Sequence, residues 1–528
     1  MYSVSEANGR GWMLLVTLVV AALIGVEGVS AQEEHDKAVQ ADEGSESQAV
    51  PEEAEQAAAD PPAGIDVDDE VTVEETQEPN PQDTPWWVTE DRACDGCPWR
   101  RPGHALVQTT FVNVIYGVAN LIRGQDTAKV TPVTWWANLK HGWVWDLDDF
   151  AVNQIGHPYQ GNNYFTSGRG NGLNFWESGA VTAFGSATWE WFGETNKASL
   201  NDFINTTLGG IALGEVLHRV AWLVRDTQAT GSGRLWREIG ATAIDPLTGL
   251  NRFLSGDAKR QTGKPPDLVP SGGGALLSAG VLWQGTDTRA IESTGKPFFD
   301  IDLFYGDLET GRSRTPYDAF YLGMRVGGGN AISRASIRGR LVGRPLGRTQ
   351  FMVVQNYDYD ENPVYQFGAQ SFELKVGVEP QLSKHLSVWL DGGGGLTALA
   401  GIDSQPLVEV EIPLLPEEKR GQGVSEGPRT YDYGPGTTFS GTAAFRYDGR
   451  TFAMLYYQAN HMYVVDGVRA NHFLQRMGVD LRLPIRGSLG IGVAGEYFHR
   501  QTFFKDPDDT IRTLSAPQVR VFLTWRLS

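Results

Sequence analysis

The sequence predicts an α+β chain: an antiparallel transmembrane β-barrel of about 12 strands, with an N-terminal helical domain packed in or at its periplasmic mouth. Three observations predict it. From Ala275 onward, segments of about ten residues alternate apolar and polar side chains and are separated by turn residues, as strands do between lipid and a polar lumen. The last segment is the clearest: Val519, Val521, Leu523, Trp525 and Leu527 share one face, Arg520, Thr524 and Arg526 the other, with Phe522 the exception. In water that apolar face would invite aggregation, whereas in a bilayer it is the expected lipid face. Composition agrees, since 63 Gly, 16 Trp and 17 Tyr accompany a mean hydropathy of only −0.29, which suits a barrel better than a bundle of membrane helices.

Taken in order, residues 1–31 read as a secretory signal, with Arg10 as the positive flank, an apolar run from Trp12 to Val26 and the small-residue site Val29-Ser30-Ala31. Residues 32–92 read as an acidic, disordered linker. Residues 32–90 hold 19 acidic residues against Lys37 alone, so the net charge of −20 belongs almost wholly to this segment. The remainder is nearly neutral and offers no basic stripe for nucleic acid. Cys94 and Cys97, the only cysteines, are expected to form a local disulfide in an exported chain.

Residues 93–262 form the predicted helical domain and 263–528 the barrel. Helical spacing runs over 104–124, and four tryptophans follow in 134–149, either an interfacial belt or a packed platform. His157-Pro158-Tyr159 reads as a loop, because Pro158 biases His157 toward an extended backbone. Helices are expected over about 173–192 and 199–224, the second N-capped by Ser199, with a short helix near 235–243. Asp245–Asp257 reads as turn and loop. Strands are expected near 275–284, 297–306, 317–328, 331–341, 348–357, 365–378, 385–398, 434–447, 450–463, 469–482, 487–498 and 515–527, with 407–430 a long extracellular loop.

Between Asn162 and Arg219 an apolar sequence carries Arg169, Glu177, Glu190, Glu194, Asp202, Asn205, Glu215 and His218, with small residues that let helices approach closely. An unpaired buried charge costs several kcal/mol, so these groups, together with His157, are expected to form an interior hydrogen-bonded network. Glu190 or Asp202 is expected to pair with His218 or Arg219. The motifs HPYQGNNYF, Gly168-Arg169-Gly170, NFWESG, TWEWFGE and SLNDFINTTLGGIALGE, followed by DPLTGLNR, resemble a bacterial envelope family known as domain of unknown function 3943, over roughly residues 130–255. The resemblance implies an exported protein with a helical region joined to a barrel-like half, and it brings no established activity.

The residues therefore point to an outer-membrane protein of a Gram-negative bacterium whose helical domain plugs or gates the lumen and which binds or transports an envelope or small-molecule ligand. Outer-membrane lipid and the barrel assembly machinery are its expected partners. A barrel-associated lipid hydrolase using His218, Glu190 and Ser186 is the alternative, though no G-x-S-x-G elbow is present. A purely structural envelope protein is the other. Glu215-x-x-His218 has di-iron spacing, but a di-iron site needs a second such motif and two further Glu, so no metal or cofactor is assigned.

Overall fold

The computed structural model describes residues 93–146, 150–285, 291, 294–309, 311–403, 431–505 and 510–527. The expected signal sequence, the whole of the acidic linker and the 407–430 loop lie outside them. Cys94 and Cys97 form the expected disulfide.

Twelve antiparallel strands close into a barrel in sequence order, β1 pairing with β12. They are β1 (Gly273–Gln284), β2 (Lys296–Tyr305), β3 (Phe320–Gly327), β4 (Asn330–Leu346), β5 (Thr349–Glu361), β6 (Gln366–Val378), β7 (Leu386–Asp403), β8 (Tyr431–Tyr447), β9 (Arg450–Tyr463), β10 (Ala470–Arg486), β11 (Leu489–Phe504) and β12 (Ile511–Leu527). Several run four or five residues past the predicted ends, because hydrogen-bonded pairing continues after the apolar alternation stops. Tight hairpins at Leu346–Thr349, Tyr447–Arg450 and Arg486–Leu489 share one end with the start of β1 and the finish of β12. Short turns mark the periplasmic end of an outer-membrane barrel, which makes the opposite end the outer one.

Before the barrel come α1 (Pro102–Ile122), α2 (Pro132–His141), α3 (His157–Gly170), α4 (Phe175–Phe192), α5 (Leu200–Ile204), α6 (Gly210–Val224), α7 (Gly231–Ile244) and α8 (Pro246–Leu254). Two π-helical turns interrupt them: Val152–Gly156 leads into α3, and Asn205–Gly209 joins α5 to α6 in one rod. Two expected loops are helical. His157-Pro158 opens α3, because the preceding π-turn changes the hydrogen-bond register where Pro158 supplies no N–H. Asp245–Asp257 contains α8: the Asp245 carboxylate accepts from Thr248 N at 3.0 Å, and Pro246 takes the first helical position, where a missing donor costs nothing.

The helices lie elsewhere than expected. Non-neighbouring strands can touch only through the lumen. Arg334 on β4 meets Glu496 on β11 at 2.9 Å, Arg476 on β10 meets Asp360 on β5 at 3.4 Å, and Gln458 on β9 donates to Asp358 on β5 at 3.1 Å. These side chains therefore point inward. Alternation then places Phe351, Val353, Gln355, Tyr357 and Tyr359 of β5 on the outer face. The helices contact that outer set: Gln355 Nε2 donates to Leu208 O at 3.0 Å, Tyr357 Oη to Gln154 O at 2.5 Å, and the Tyr359 ring lies 6.1 Å from that of Phe150. On β6, Glu373 points inward to Ser440, so Gly368 and Gln370 point outward, and they meet Gln154 and Gly209. The helical domain is thus docked on the outside of the wall and neither plugs the lumen nor caps its mouth. Two physical reasons follow. The lumen is already crossed by charged side chains, and the outer faces of β1–β8 supply Ile301, Leu303, Tyr305, Phe320, Ile337, Tyr357 and Tyr433 to one core shared with Val216, Leu217 and Val220 of α6.

Candidate functional site

The docked helices run alternately. At the periplasmic end of α1, Arg101 N donates to Asn171 O at 2.9 Å, and further along Asn163 Nδ2 donates to Tyr116 Oη at 3.1 Å, so α1 and α3 are antiparallel. Ser186 of α4 reaches Phe203 O while Gly179 lies against Ile211, so α4 opposes the α5–α6 rod. Interior polar groups gather at the two ends of this bundle.

At the periplasmic end, Glu215 is fully buried between two arginines. Its carboxylate lies 2.9 Å from Arg169 Nε and 2.7 Å from Arg219 Nε. Arg219 also donates to Asp267 O at 2.7 Å and Pro316 O at 3.1 Å, tying α6 to the β2–β3 connection. One helical turn of spacing puts His218 on a different neighbour: its Nδ1 is 2.8 Å from Asp245 Oδ2, with Thr248 Oγ1 at 3.4 Å. Burial alone would raise the Asp245 carboxyl. The hydrogen bond and charge of His218, with Arg225 nearby, outweigh it and hold the group below its ordinary value. A base, an acid and a hydroxyl therefore meet here, but His218, Asp245 and Thr248 are all within 1% of complete burial, so the arrangement bridges α6 to α8 rather than meeting a substrate. Glu215 and His218 do not converge on a common point.

The expected partners of His218 and Arg219 are thus corrected to Asp245 and Glu215. Glu190 instead accepts from Ser199 N at 2.7 Å, and Ser186 reaches only a main-chain carbonyl, so Ser186, Glu190 and His218 form no triad. Glu177 is not interior: it caps α4 and pairs with Arg100 at 2.7 Å, a third exposed.

Toward the outer end, both π-turns face β6. His157 Nδ1 is 3.1 Å from Thr206 Oγ1, and its Nε2 is 3.4 Å from Asp202. Asn201 Nδ2 donates to Asp146 at 2.8 Å, to Asn153 at 3.2 Å and to Asp202 at 3.0 Å. The amides of Gln154, Asn205 and Gln370 are buried here with no hydrogen-bond partner among the described residues. A π-turn widens the helix and breaks its ordinary ladder, which is how Gln154 comes to be presented at the wall against Gly368. Gln154, Asn153, Asp146 and Gln370 were not singled out in the sequence. An amide within a strand or helix pattern gives no signal until the element facing it is known.

Glu194, in the connection after α4, accepts from Trp189 Nε1 at 3.0 Å. Burial and the nearby Asp146 charge push its carboxyl up to about 7. A carboxyl raised in the folded state favours folding at low pH, and that contribution fades as pH climbs from its ordinary value near 4.5 through about 7. Glu194→Gln is therefore expected to narrow the difference in melting temperature of the detergent-solubilised protein between pH 5 and pH 8. An unchanged difference refutes the assignment.

The lumen holds a second polar constellation. Glu496 lies 3.5 Å from Arg325, 2.9 Å from Arg334, 2.7 Å from Arg476 and 3.4 Å from Arg520, on four different strands. Asp300 joins Arg325 at 2.7 Å and Arg520 at 2.8 Å, and Tyr456 donates to Glu496. Above this lattice, at the outer mouth, Gln284, Lys296, Asn330, Glu361, Gln366 and Asp403 line a polar cavity of about 340 Å³.

Residues 142–247 match the family model of a domain of unknown function, DUF3943, so the match covers the helical region and not the barrel. No curated protein matches the chain. Among solved structures, the NanC porin aligns with 47% of this chain and 98% of its own at 9% identity and TM-score 0.25. The KdgM porin aligns with 47% and 98% at 8% identity and TM-score 0.22. The outer membrane protease OmpT from Escherichia coli aligns with 49% and 97% at 11% identity and TM-score 0.17. Likeness this low carries no argument about activity, and the barrel stands on its own closed hydrogen-bond ladder.

Proposed function

We propose that this chain, which carries a DUF3943 domain over residues 142–247, is an outer-membrane β-barrel of the binding or transport class, gated by the charge lattice in its lumen. A polar solute enters the outer cavity and meets a passage closed by Glu496 and its four arginines. The Glu496 lattice is the observation that carries this reading. It joins opposite walls at mid-lumen, and a lattice of paired charges can open by exchanging partners with a charged solute, which a packed apolar core cannot do. The separation of roles also supports it: the helices touch the outer wall, so closure of the lumen falls to side chains of the strands themselves.

Conductance in planar bilayers tests it. Wild-type protein is expected to conduct poorly. Glu496→Gln leaves four neighbouring arginines short of one negative charge, so their mutual repulsion should open the lumen and favour anions. A several-fold rise in conductance with a shift toward anion selectivity is expected. A correctly inserted Glu496→Gln barrel with unchanged conductance and selectivity overturns the gate.

A further inference from the structure

We infer that the helical domain is itself a membrane-spanning bundle, immersed in the outer membrane beside the barrel, with lipid acyl chains as the partner of its outer surface. α1 has the length and surface of a membrane span. Its 21 residues span about 32 Å at 1.5 Å per residue, against a hydrocarbon core of about 30 Å. Its outward face is apolar, Gln108 and Asn113 turning inward to Asn251 and Gly185, and Phe111, Val114, Ile115, Val118 and Ile122 are all about half exposed or more. An amphipathic helix of a water-soluble domain turns a polar face outward, and α1 does not.

Position in the fold identifies what covers this surface. The bundle is fixed to the outer faces of β1–β8, the faces a bilayer would otherwise wet. It extends over the full height of the wall, from Arg219 at Tyr305 on the periplasmic side to Trp145 stacked on Tyr433 on the outer side. The uncovered strands carry the same kind of surface: Leu455, Val479, Leu481, Val493, Val521 and Leu523 are exposed, so the apolar belt continues from the strands around the helices. Charges lie at the two ends of α1 and not along it, with Arg100 and Arg101 before it and Arg123 after it. At the outer end α2 presents Trp135 and Trp136 beside Lys140, the pairing of amphipathic rings and cations found at a membrane interface. The buried polar groups turn toward the bundle interior and the wall, where helices in lipid must keep them.

This arrangement sets a topology. Residues before α1 face the periplasm, α1 crosses outward, α3 returns, α4 crosses outward and the α5–α6 rod returns to the start of the barrel. Single cysteines test it, because Cys94 and Cys97 are disulfide-bonded and silent toward maleimides. With a membrane-impermeant maleimide, Gln125→Cys is expected to label on intact cells, Lys259→Cys, next to the Arg260–Asp95 pair before α1, only after the outer membrane is permeabilised, and Ile115→Cys in neither state. Phe111→Cys, one turn earlier on the same exposed face, repeats the middle position should Ile115→Cys fail to assemble. Folding is scored by the heat-modifiable mobility of the barrel. Labelling of Lys259→Cys and Gln125→Cys from the same side overturns the inference, as does labelling of Ile115→Cys or Phe111→Cys to the extent of Gln125→Cys.

Discussion

Glu215→Gln is expected to unfold the periplasmic half of the helical bundle while leaving the barrel closed. Glu215 has no exposed surface and is the shared counter-charge of Arg169 and Arg219, whose side chains are 10% and 1% exposed. Removing one partner of a buried pair leaves the other charge uncompensated, at a cost of about 3–5 kcal/mol. Here two guanidinium groups lose the same carboxylate, and glutamine restores the volume without the charge. Arg219 keeps carbonyl acceptors at Asp267 and Pro316, which offsets part of the loss on its side. Arg169 keeps the carbonyl of Leu173 at 3.0 Å and the partly exposed Asp267 at 3.4 Å. Thermal unfolding in detergent, followed at 222 nm for helix and by heat-modifiable mobility for the barrel, separates the two parts. The helical transition should fall well below that of the wild type while the barrel transition stays. Coincident and unshifted transitions exclude this account of the network.

The same residues show what the sequence makes legible and what it does not. Twelve strands and their order could be read because alternation in a membrane barrel is imposed residue by residue, and Val519 to Leu527 displays it without any knowledge of neighbours. Burial of Glu215, His218, Asp202 and His157 could be read from charge in an apolar setting. Their partners could not, because pairing depends on how helices cross: His218 meets Asp245, 27 positions on, through a helix read as a loop. The side of the wall on which the helices sit was also hidden. Ile301, Leu303 and Tyr357 look the same in sequence whether their outer face meets lipid or α6. A polar lumen explained the buried charges as well as a polar bundle interior does. Only the cross-lumen pairs, such as Arg334 with Glu496, decide between them by fixing which face is inward.

Gly161→Leu is expected to separate the bundle from within and with it the docking of the helices on the wall. In α3, Gly161 faces the π-turn of the rod and the first residue of α6 so closely that an added Cβ would lie 1.9 Å from Thr206 O and 2.9 Å from Gly210 Cα. Gly210 meets Gly161 in return, its own Cβ position being 2.5 Å from the Gly161 main chain. Helices that touch backbone to backbone through small residues are how membrane helices pack when no hydrophobic effect drives them together. Ordinary overpacking costs about 1–3 kcal/mol because side chains move aside. Here the obstacle is main chain on both sides, so the whole crossing must open and the cost should exceed that range. Opening it would also pull Leu208 O away from Gln355 Nε2 and Gln154 from Tyr357, the two hydrogen bonds that seat the π-turns on β5. Limited proteolysis of the inserted protein reads this out: wild type should resist between α3 and α6, whereas Gly161→Leu should be cut there with the barrel intact. Gly233→Ala is the control, since Gly233 has open space where a Cβ would stand, and it should leave the pattern unchanged. Resistance of Gly161→Leu equal to that of Gly233→Ala would mean that the close crossing of α3 and the rod does not hold the bundle together.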